Sequence, residues 1–515
     1  MPLEKRLSKT VKSRLDNFAL NFSSSGFKFV ISTLLGFVLT PIIIKNVGVE
    51  AFGLFKTLQD YIAYLLLLEF GLYGALLATF NKIINLDSNE KLQTFWVSIS
   101  SYIKVALGSF FIGLLILPFI TSLIKNDHLL DHSFYYSYIA LLLGFVTLPF
   151  LSFKAYLEAS QKGYLVSVGL TIQIVANAIL IGISLYFKLG VPGLCTALLL
   201  SNCLSSLWYF YSSDIKLSDI IAQKKESLAN SSLIGQITKM RKAMFFTDLA
   251  GKVCLFTDNI VIGYLLGAKF VTPFFVTQKL SLVIQTQLQY FSNSSWAGLG
   301  EIYHKDSPEA LGQSIVDLTK WIGILGVVAL VPLITYNRFF IELWTGPATY
   351  AGFSVTLVAC LNAFFLGILT LWGWCFTATS KIDLLVPLNW TQTICNLTLN
   401  IVLTYKYGIV GPILATLICY VLINMTWLGS LIKREFKTSF LKLQASWILP
   451  LSYGIIFYFT WTYLRGPIES LGWFRLILEM SLEASLLLIF SFLLVMNNQE
   501  RRASYNRLMK LLKRK

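Results

Sequence analysis

The sequence predicts an all-α integral membrane protein with about 14 transmembrane helices: two six-helix lobes forming a parallel internal repeat, and two further C-terminal helices. The 515-residue chain is 56% hydrophobic and only 13% charged, with a mean hydropathy of +0.67. A soluble domain is about a quarter charged, so lipid must cover most of this surface. Apolar runs long enough to cross a bilayer recur along the chain. The first half of the sequence also matches the second at a nearly constant offset.

The apolar runs give the helices in order, since about 20 apolar residues span the hydrocarbon core. They lie at 18–45, 53–82, 94–123, 134–158, 163–187, 191–213, 240–266, 270–298, 313–337, 350–378, 383–405, 409–432, 444–463 and 476–496. Internal prolines, at 41, 149, 273 and 387, predict kinks. The resulting divisions are a basic amphipathic segment (1–17), the first lobe (18–213), a cytoplasmic linker (214–239), the second lobe (240–432), helices 13 and 14 (444–496), and a basic tail (497–515).

The distribution of basic residues predicts the orientation. After 14 crossings, the N-terminal segment, the 214–242 loop, the 433–442 loop and the C-terminal tail share one face, and all four are rich in Lys and Arg. Opposite loops hold single basic residues, such as Lys125 and Arg338. The positive-inside rule therefore places both termini in the cytoplasm. The net charge of +16 is then topological, and no nucleic-acid partner is expected.

The N-terminal segment has its own apolar spacing. Leu3, Leu7, Val11 and Leu15 lie four apart, with basic residues between them. This pattern is typical of an amphipathic helix on an anionic membrane surface. A solvated tail is the alternative.

The internal repeat has an offset of 219 residues. Ala159 and Lys162 match Ala378 and Lys381, and Gly48 matches Gly267. Further matches join 87–92 to 306–311, and Gln173 and Asn177 to Gln392 and Asn396. Each repeat has an even number of crossings, so the two lobes enter the membrane the same way round. Rocking of two such lobes would open a cleft to each side of the membrane in turn.

Motifs for covalent chemistry are absent. There is no GxxxxGK[ST] phosphate loop and no HExxH or nucleophile elbow, so we expect a transporter rather than an enzyme, without a cofactor. The seven cysteines lie in apolar runs without a CxxC pair and are interpreted as packing residues. His128 and His132 have i, i+4 spacing, but an exposed polar loop is the favoured interpretation, and no metal site is predicted.

Ionisable residues inside apolar helices are the candidate site, because charges in a membrane are expensive and usually face a cavity or a partner. Helix 14 also carries Glu479 and Glu483. Asp60 and Lys279 are separated by the 219-residue offset and are predicted to form a charged gate across the cleft. The alternative is that these residues pair within each lobe. The candidate cavity residues are Lys28, Asp60, Glu69, Lys104, Asp248, Lys252, Asp258 and Lys279.

Several short motifs carry a family resemblance. The stretch from Asn21 to Phe55, which ends Gly-Val-Glu-Ala-Phe-Gly-Leu-Phe, resembles the opening of bacterial polysaccharide-unit (O-antigen, Wzx-type) flippases. The motif 70–72 (Phe-Gly-Leu) resembles the same family. So do 257–263 (Thr-Asp-Asn-Ile-Val-Ile-Gly), 266–268 (Leu-Gly-Ala), 343–346 (Leu-Trp-Thr-Gly) and 408–411 (Gly-Ile-Val-Gly). These motifs are spread over nearly the whole chain.

The family belongs to the multidrug/oligosaccharidyl-lipid/polysaccharide exporter superfamily. The resemblance implies a two-lobed, V-shaped fold in a bacterial inner membrane. It also implies movement of an undecaprenyl-pyrophosphate-linked oligosaccharide to the outer leaflet for surface polysaccharide and lipopolysaccharide biosynthesis. Membrane lipids and other polysaccharide-assembly proteins are the implied partners. The related lipid II flippase holds its pyrophosphate with arginines, whereas lysines stand in the cavity helices here; lysine binds phosphate as a point charge.

Two other functions stay open. A cation-coupled multidrug exporter would share the architecture, but an acidic cleft would suit its cationic substrates better than a basic one. A scaffold for glycan-assembly enzymes would need no hydrated cavity, and the internal repeat argues against it.

Overall fold

The computed structural model describes residues 3–83, 88–123, 132–224, 235, 237–238, 241, 245, 257–305, 307–379, 381–467 and 471–494. Every regular element in these residues is helical, and residues 257–265 form one helical segment in addition to those below. The helices are α1 (Leu3–Val47), α2 (Val49–Leu65), α3 (Leu72–Ile83), α4 (Ser88–Leu123), α5 (His132–Leu143), α6 (Leu151–Ala159), α7 (Gly163–Tyr186), α8 (Gly190–Ser212), α9 (Leu217–Ala222), α10 (Val271–Ser294), α11 (Trp296–Lys305), α12 (Pro308–Trp344), α13 (Phe353–Ala378), α14 (Val386–Tyr407), α15 (Gly411–Ile418), α16 (Met425–Glu435), α17 (Phe440–Arg465) and α18 (Trp473–Leu494).

The helices confirm the all-α membrane class. Within the described residues, 11 segments are long and apolar enough to cross a membrane. One of them, Ile382–Glu435, contains two runs that the sequence separates, and Gly408 divides it with a φ of +63°. The predicted helix 7 is described only from residue 257 onward. α10 is helical but is rich in glutamine, and it is not among the 11.

The N-terminal segment and three of the internal prolines show how these helices begin and connect. α1 runs without interruption from Leu3 to Val47, so the basic N-terminal segment is helical; its position on the membrane surface stays a prediction. Pro149 lies in a 3₁₀ stretch, Gly144–Phe150, that joins α5 to α6. Pro273 and Pro387 lie in the first turns of α10 and α14, where the missing N–H has no helical partner to lose. The predicted kinks at these two prolines are therefore wrong.

The chain divides into two compact units, Met1–Thr272 and Pro273–Lys515. In the first unit, α7 packs against both α1 and α8. Gly169 of α7 lies directly against the rings of Trp208 and Tyr209, and the Trp208 indole N–H donates to the Leu165 carbonyl at 2.9 Å. The first unit includes residues 257–272, which the repeat assigns to the second lobe. The lobe boundaries stay predictions.

In the second unit, α12 is the central helix, and α13, α17 and α18 all pack against it. Gly323 of α12 faces Pro450 of α17, and Gly454 of α17 faces Val327. Such small residues allow close packing of membrane helices, where the hydrophobic effect adds little. α17 and α18 contact each other much less than either contacts α12.

Local contacts recur at equivalent positions in the two repeats. Gly48 and Gly267 both precede a helix with positive φ, +92° and +110°. The Gln173 side chain of α7 donates to Asn202 of α8, and in the second repeat Asn424 donates to Gln392 of α14 at 2.7 Å. A Gln–Asn hydrogen bond thus occurs in each half, but donor and acceptor are exchanged, and Asn424 lies three residues beyond the equivalent of Asn202.

Candidate functional site

The second membrane helix is broken inside its apolar run. α2 ends in a 3₁₀ turn, Leu66–Glu69, and α3 begins at Leu72. Between them, Phe70 and Gly71 have φ values of +51° and +68°. Glycine adopts this left-handed conformation freely, but phenylalanine rarely does. The break coincides with the Phe-Gly-Leu motif, where the sequence predicts a continuous helix. Irregular backbone at membrane depth occurs where it is buried in protein or lines a cavity.

Glu69 satisfies the backbone at this break. Its side chain is buried, with 7% of the residue exposed. Its Oε1 accepts a hydrogen bond from the Tyr73 backbone N–H at 2.8 Å and another from the Tyr102 hydroxyl at 2.9 Å. The carboxylate therefore caps the N-terminus of α3, where a negative charge is favourable. On the other side of the break, the Ser109 hydroxyl donates to the Leu65 carbonyl at 3.3 Å.

Two cationic side chains, Lys154 and Arg241, lie within electrostatic range of this carboxylate. Half-buried Lys154 of α6 lies 5.1 Å from the Tyr73 ring centroid and interacts electrostatically with Glu158, Lys28 and Glu69. Arg241 donates to the Glu69 backbone carbonyl through a long contact of 3.5 Å. The Phe245 ring also packs on Phe70, with 4.9 Å between centroids. We call Lys28, Glu69, Lys154, Glu158 and Arg241 the Glu69 cluster; it holds three cations and two carboxylates.

A cavity of about 370 Å³ borders the cluster within the first unit. It lies between α2, α8 and the 3₁₀ stretch that follows α5. Most of its wall is apolar, with polar side chains from Gln59, Glu69, Thr147 and Asn202. This arrangement, an apolar pocket with a few convergent polar groups, is typical of small-ligand sites.

The structure places the predicted site residues unequally. Lys28 and Glu69 both lie within electrostatic range of Lys154, where Lys28 repels and Glu69 attracts the ammonium. Lys104 is exposed on α4 and lies outside the cluster. Asp258 is half-buried and has interaction partners. Asp248 and Lys252 fall outside the described residues.

The predicted gate residues each have a neighbour of their own. Asp60, half-buried on α2, accepts a hydrogen bond from the Asn259 side chain at 2.7 Å. The Lys279 ammonium lies 5.3 Å from the Phe275 ring centroid. Asp60 and Lys279 belong to different units, so their pairing stays a prediction.

A tight seam runs along α2. The helix packs antiparallel to residues 257–272, with contacts at regular intervals along both. At one end, Gly53 approaches so closely that a Cβ would overlap the Ala268 carbonyl oxygen. The Asp60–Asn259 hydrogen bond also belongs to this seam. The Thr272 hydroxyl donates to the Val49 carbonyl, and Gly263 packs against the Thr57 side chain. At the other end, a hydrogen bond joins the Tyr64 and Thr257 hydroxyls.

Sequence reasoning missed part of the cluster. Lys154 and Glu158 lie within the apolar run 134–158 at i, i+4 spacing, so the criterion that selected Lys28 would also have found them. In the sequence, Arg241 is one of many basic residues in the 214–242 loop, which the predicted topology already explains. Only its contact with Glu69 distinguishes it from its neighbours.

The second unit contains a larger, apolar groove between α17 and α18. Its volume is about 640 Å³, and its lining includes Tyr453, Ile456, Phe457, Trp461, Leu486 and Phe490. At one tip of the groove, Arg465 forms an ion pair with Glu479, which also pairs with Arg475 at 2.7 Å. The groove exists because α17 and α18 both attach to α12 and contact each other little.

Comparisons with known proteins place this fold. No protein-family model matches the chain. A 90-residue segment is 30% identical to the uncharacterized membrane protein EpsK of Bacillus subtilis (strain 168); the match covers 18% of this chain and 17% of EpsK.

Solved structures give broader matches. The chain is similar to the lipid II flippase MurJ in an inward closed conformation, with a TM-score of 0.66 and 15% identity over 93% of this chain and all of MurJ. It is also similar to an inward-facing multidrug resistance MATE family transporter of the MOP superfamily, with a TM-score of 0.64 and 16% identity over 79% of this chain and 96% of the transporter. The TM-scores show that the fold is shared, and at such low identities the matches show the fold alone. The O-antigen assignment stays a prediction.

Proposed function

We propose that this protein is a flippase that moves a polyprenyl-pyrophosphate-linked oligosaccharide from the inner to the outer leaflet of the bacterial inner membrane by alternating access. It would act as a transporter rather than an enzyme, and both termini would lie in the cytoplasm. Its lipid-linked substrate would be destined for surface polysaccharide such as O-antigen.

The apolar groove between α17 and α18 is the observation that carries this proposal. A polyprenyl chain is long and apolar, and a groove of about 640 Å³ with an aromatic lining can take one segment of it. A soluble, cationic drug has no such chain to place. The likeness to the lipid II flippase, which extends over 93% of this chain, supports the same choice.

The charge of the Glu69 cluster supports the proposal that the substrate has an anionic group. Three cations and two carboxylates leave a net positive charge in a half-buried setting, where a pyrophosphate would be attracted more strongly than in water. Lysine supplies a point charge, and Arg241 supplies the planar fork that pairs with two phosphate oxygens. Under this proposal, the carboxylates hold the cations in place until the substrate arrives.

The seam along α2 fits alternating access. Its contacts are short, regular and made by small or polar residues, so it closes tightly yet can separate without exposing a large apolar surface. We infer that this seam separates when the transporter opens towards the outside.

Reconstitution of the whole protein in vesicles tests the proposal directly. The probe is a fluorescent polyprenyl-pyrophosphate disaccharide, and the readout is its protection from a membrane-impermeant quencher. Ile456→Trp fills the groove and should reduce flipping at least several-fold. Ile455→Trp is the matched control, because this neighbouring side chain is exposed but does not line the groove, and it should leave flipping unchanged.

Charge variants test the other end of the substrate in the same vesicles. Lys28→Ala, Lys154→Ala, Arg241→Ala and their triple combination remove the cations of the Glu69 cluster, and they should lower flipping while protein levels stay normal. Unchanged flipping in the triple variant, or equal effects of the two tryptophan variants, would contradict the proposal.

A cation-coupled multidrug exporter is the second candidate. The half-buried Asp60 carboxylate and the fold shared with a multidrug transporter favour it. Vesicles that accumulate ethidium under a proton or sodium gradient, but do not flip the labelled lipid, would support this function instead.

A further inference from the structure

The turns after α6 and α13 are repeat equivalents that share three backbone hydrogen bonds. Each ends its helix, makes a short turn and begins the next membrane segment at a lysine, Lys162 or Lys381. The first turn has the backbone bonds Ser160 N–H to Tyr156 O, Lys162 N–H to Leu157 O and Leu165 N–H to Lys162 O; the second has Thr379 to Cys375, Lys381 to Phe376 and Leu384 to Lys381. For each of these bonds, the donor residue in the second turn is 219 positions after the donor in the first, and the same holds for the acceptor residues.

Each turn is tied by an ion pair to the end of the last helix of its own repeat. In the first repeat, Lys162 pairs with Asp214, just beyond α8. In the second, Lys381 pairs with Glu435, the last residue of α16. We call these the first and second latches. The two lysines are repeat equivalents, whereas Glu435 lies two residues beyond the equivalent of Asp214, at the end of the same repeat helix.

The first latch is loose. Its nitrogen and oxygen are 3.8 Å apart, and the two side chains are 40% and 83% exposed. Exposed ion pairs of this kind contribute little, because water screens the attraction and both side chains lose freedom.

The second latch is tight. The Lys381 Nζ lies 2.9 Å from Glu435 Oε2, and the side chains are only 29% and 20% exposed. The ammonium also lies 5.5 Å from the Tyr303 ring centroid and 5.7 Å from that of Phe436. Arg434 gives Glu435 a second cationic partner at 2.9 Å. The hydrogen bond with Glu435 raises the pKa of Lys381.

We propose that these unequal latches make the transporter asymmetric: the first turn opens during the transport cycle, and the second stays closed. Because the same three backbone hydrogen bonds close both turns, we attribute the difference to the ion pairs. The role in transport rests on the proposed function, whereas the unequal opening does not. If the predicted topology holds, both latches face the cytoplasm, where substrate enters.

Hydrogen exchange on the unmodified protein in nanodiscs tests the opening without any substrate. Amides of residues 160–165 should exchange at least about tenfold faster than those of 381–384. A short charge-assisted hydrogen bond holds the second turn, whereas the first has the loose ion pair and a long bond of 3.5 Å from the Asn21 side chain to the Gln161 carbonyl. Equal exchange in the two turns would overturn the proposal, whatever the protein transports.

Reciprocal substitutions then exchange the acidic residues of the latches. Asp214→Glu should slow exchange in the first turn, and Glu435→Asp should accelerate it in the second. Asp219→Glu is the control, because this carboxylate lies on nearby α9 and bonds only to Ser218 among the described contacts. It should change neither turn.

Flipping of the labelled lipid by the same variants tests the link to transport. Asp214→Glu should reduce flipping several-fold, while Glu435→Asp should leave it near the wild-type rate. Normal flipping by an Asp214→Glu variant whose first turn exchanges more slowly would overturn the role of the latch. If the wild-type protein does not flip the lipid at all, the proposed function fails, and hydrogen exchange still decides whether the latches differ.

Discussion

Asp60 and Lys279 carry opposite charges at equivalent positions of the repeat. Asp60→Lys and Lys279→Asp alone should each impair transport, because each places like charges at the predicted gate. A bias of about 1–2 kcal/mol between the two states changes their populations about 5–30-fold. The double swap should recover much of the activity, as measured by polymer export in a strain that depends on this protein.

Asn259→Ala separates two explanations for the same residue. It removes the hydrogen bond that Asp60 accepts but leaves both gate charges in place. If the double swap performs no better than the worse single variant while Asn259→Ala impairs export, Asp60 acts through the seam and not through Lys279.

The site was predictable from sequence only in part. A charged residue within an apolar run, such as Glu69 or Lys28, is recognisable as a candidate because placing a charge in a membrane costs free energy. It does not identify the partner: Tyr102, which donates to Glu69, comes 33 residues later on another helix. Arg241 is not recognisable in this way, because it lies in a basic loop whose charges the predicted topology already explains.

At the scale of the helices, the α2 seam depends on glycine. Gly53→Ala should push α2 away from residue 268, because the added Cβ would overlap a backbone oxygen that cannot move aside. Overpacking of this kind costs about 1–3 kcal/mol, and the thermal midpoint should fall by several degrees. Gly108→Ala on α4 is the control: its Cβ meets nothing within 4 Å. The same midpoint for both variants would show that the seam is not tightly packed.

Helix positions followed from the sequence, but interruptions within the helices did not. Apolar runs report which residues face lipid or core, and this pattern continues through the break at Phe70 and Gly71. The break exists because Glu69 and Ser109 satisfy the freed backbone groups. The π-helical stretch Cys419–Asn424 was missed for the same reason, since its apolar sequence continues unchanged.

At the scale of the whole molecule, orientation is the simplest property to test. Reporter fusions at Lys515 and near His128, both outside the described residues, should show opposite sides of the membrane, with Lys515 in the cytoplasm. The basic asymmetry between loops is the physical reason. Signals from the same side would contradict the predicted topology and the proposed direction of transport.

The broken second helix also constrains how the chain is made. When residues 49–83 leave the ribosome, Glu69 has the Tyr73 amide as a nearby partner, but Tyr102 has not yet been synthesised. An acidic side chain at the centre of an inserting helix costs about 2.5–3.5 kcal/mol. Helix 2 should therefore remain at the insertion machinery, where water can solvate the carboxylate, until helix 3 is inserted and Tyr102 can donate to it. Biogenesis and the proposed mechanism would then depend on the same acidic residue.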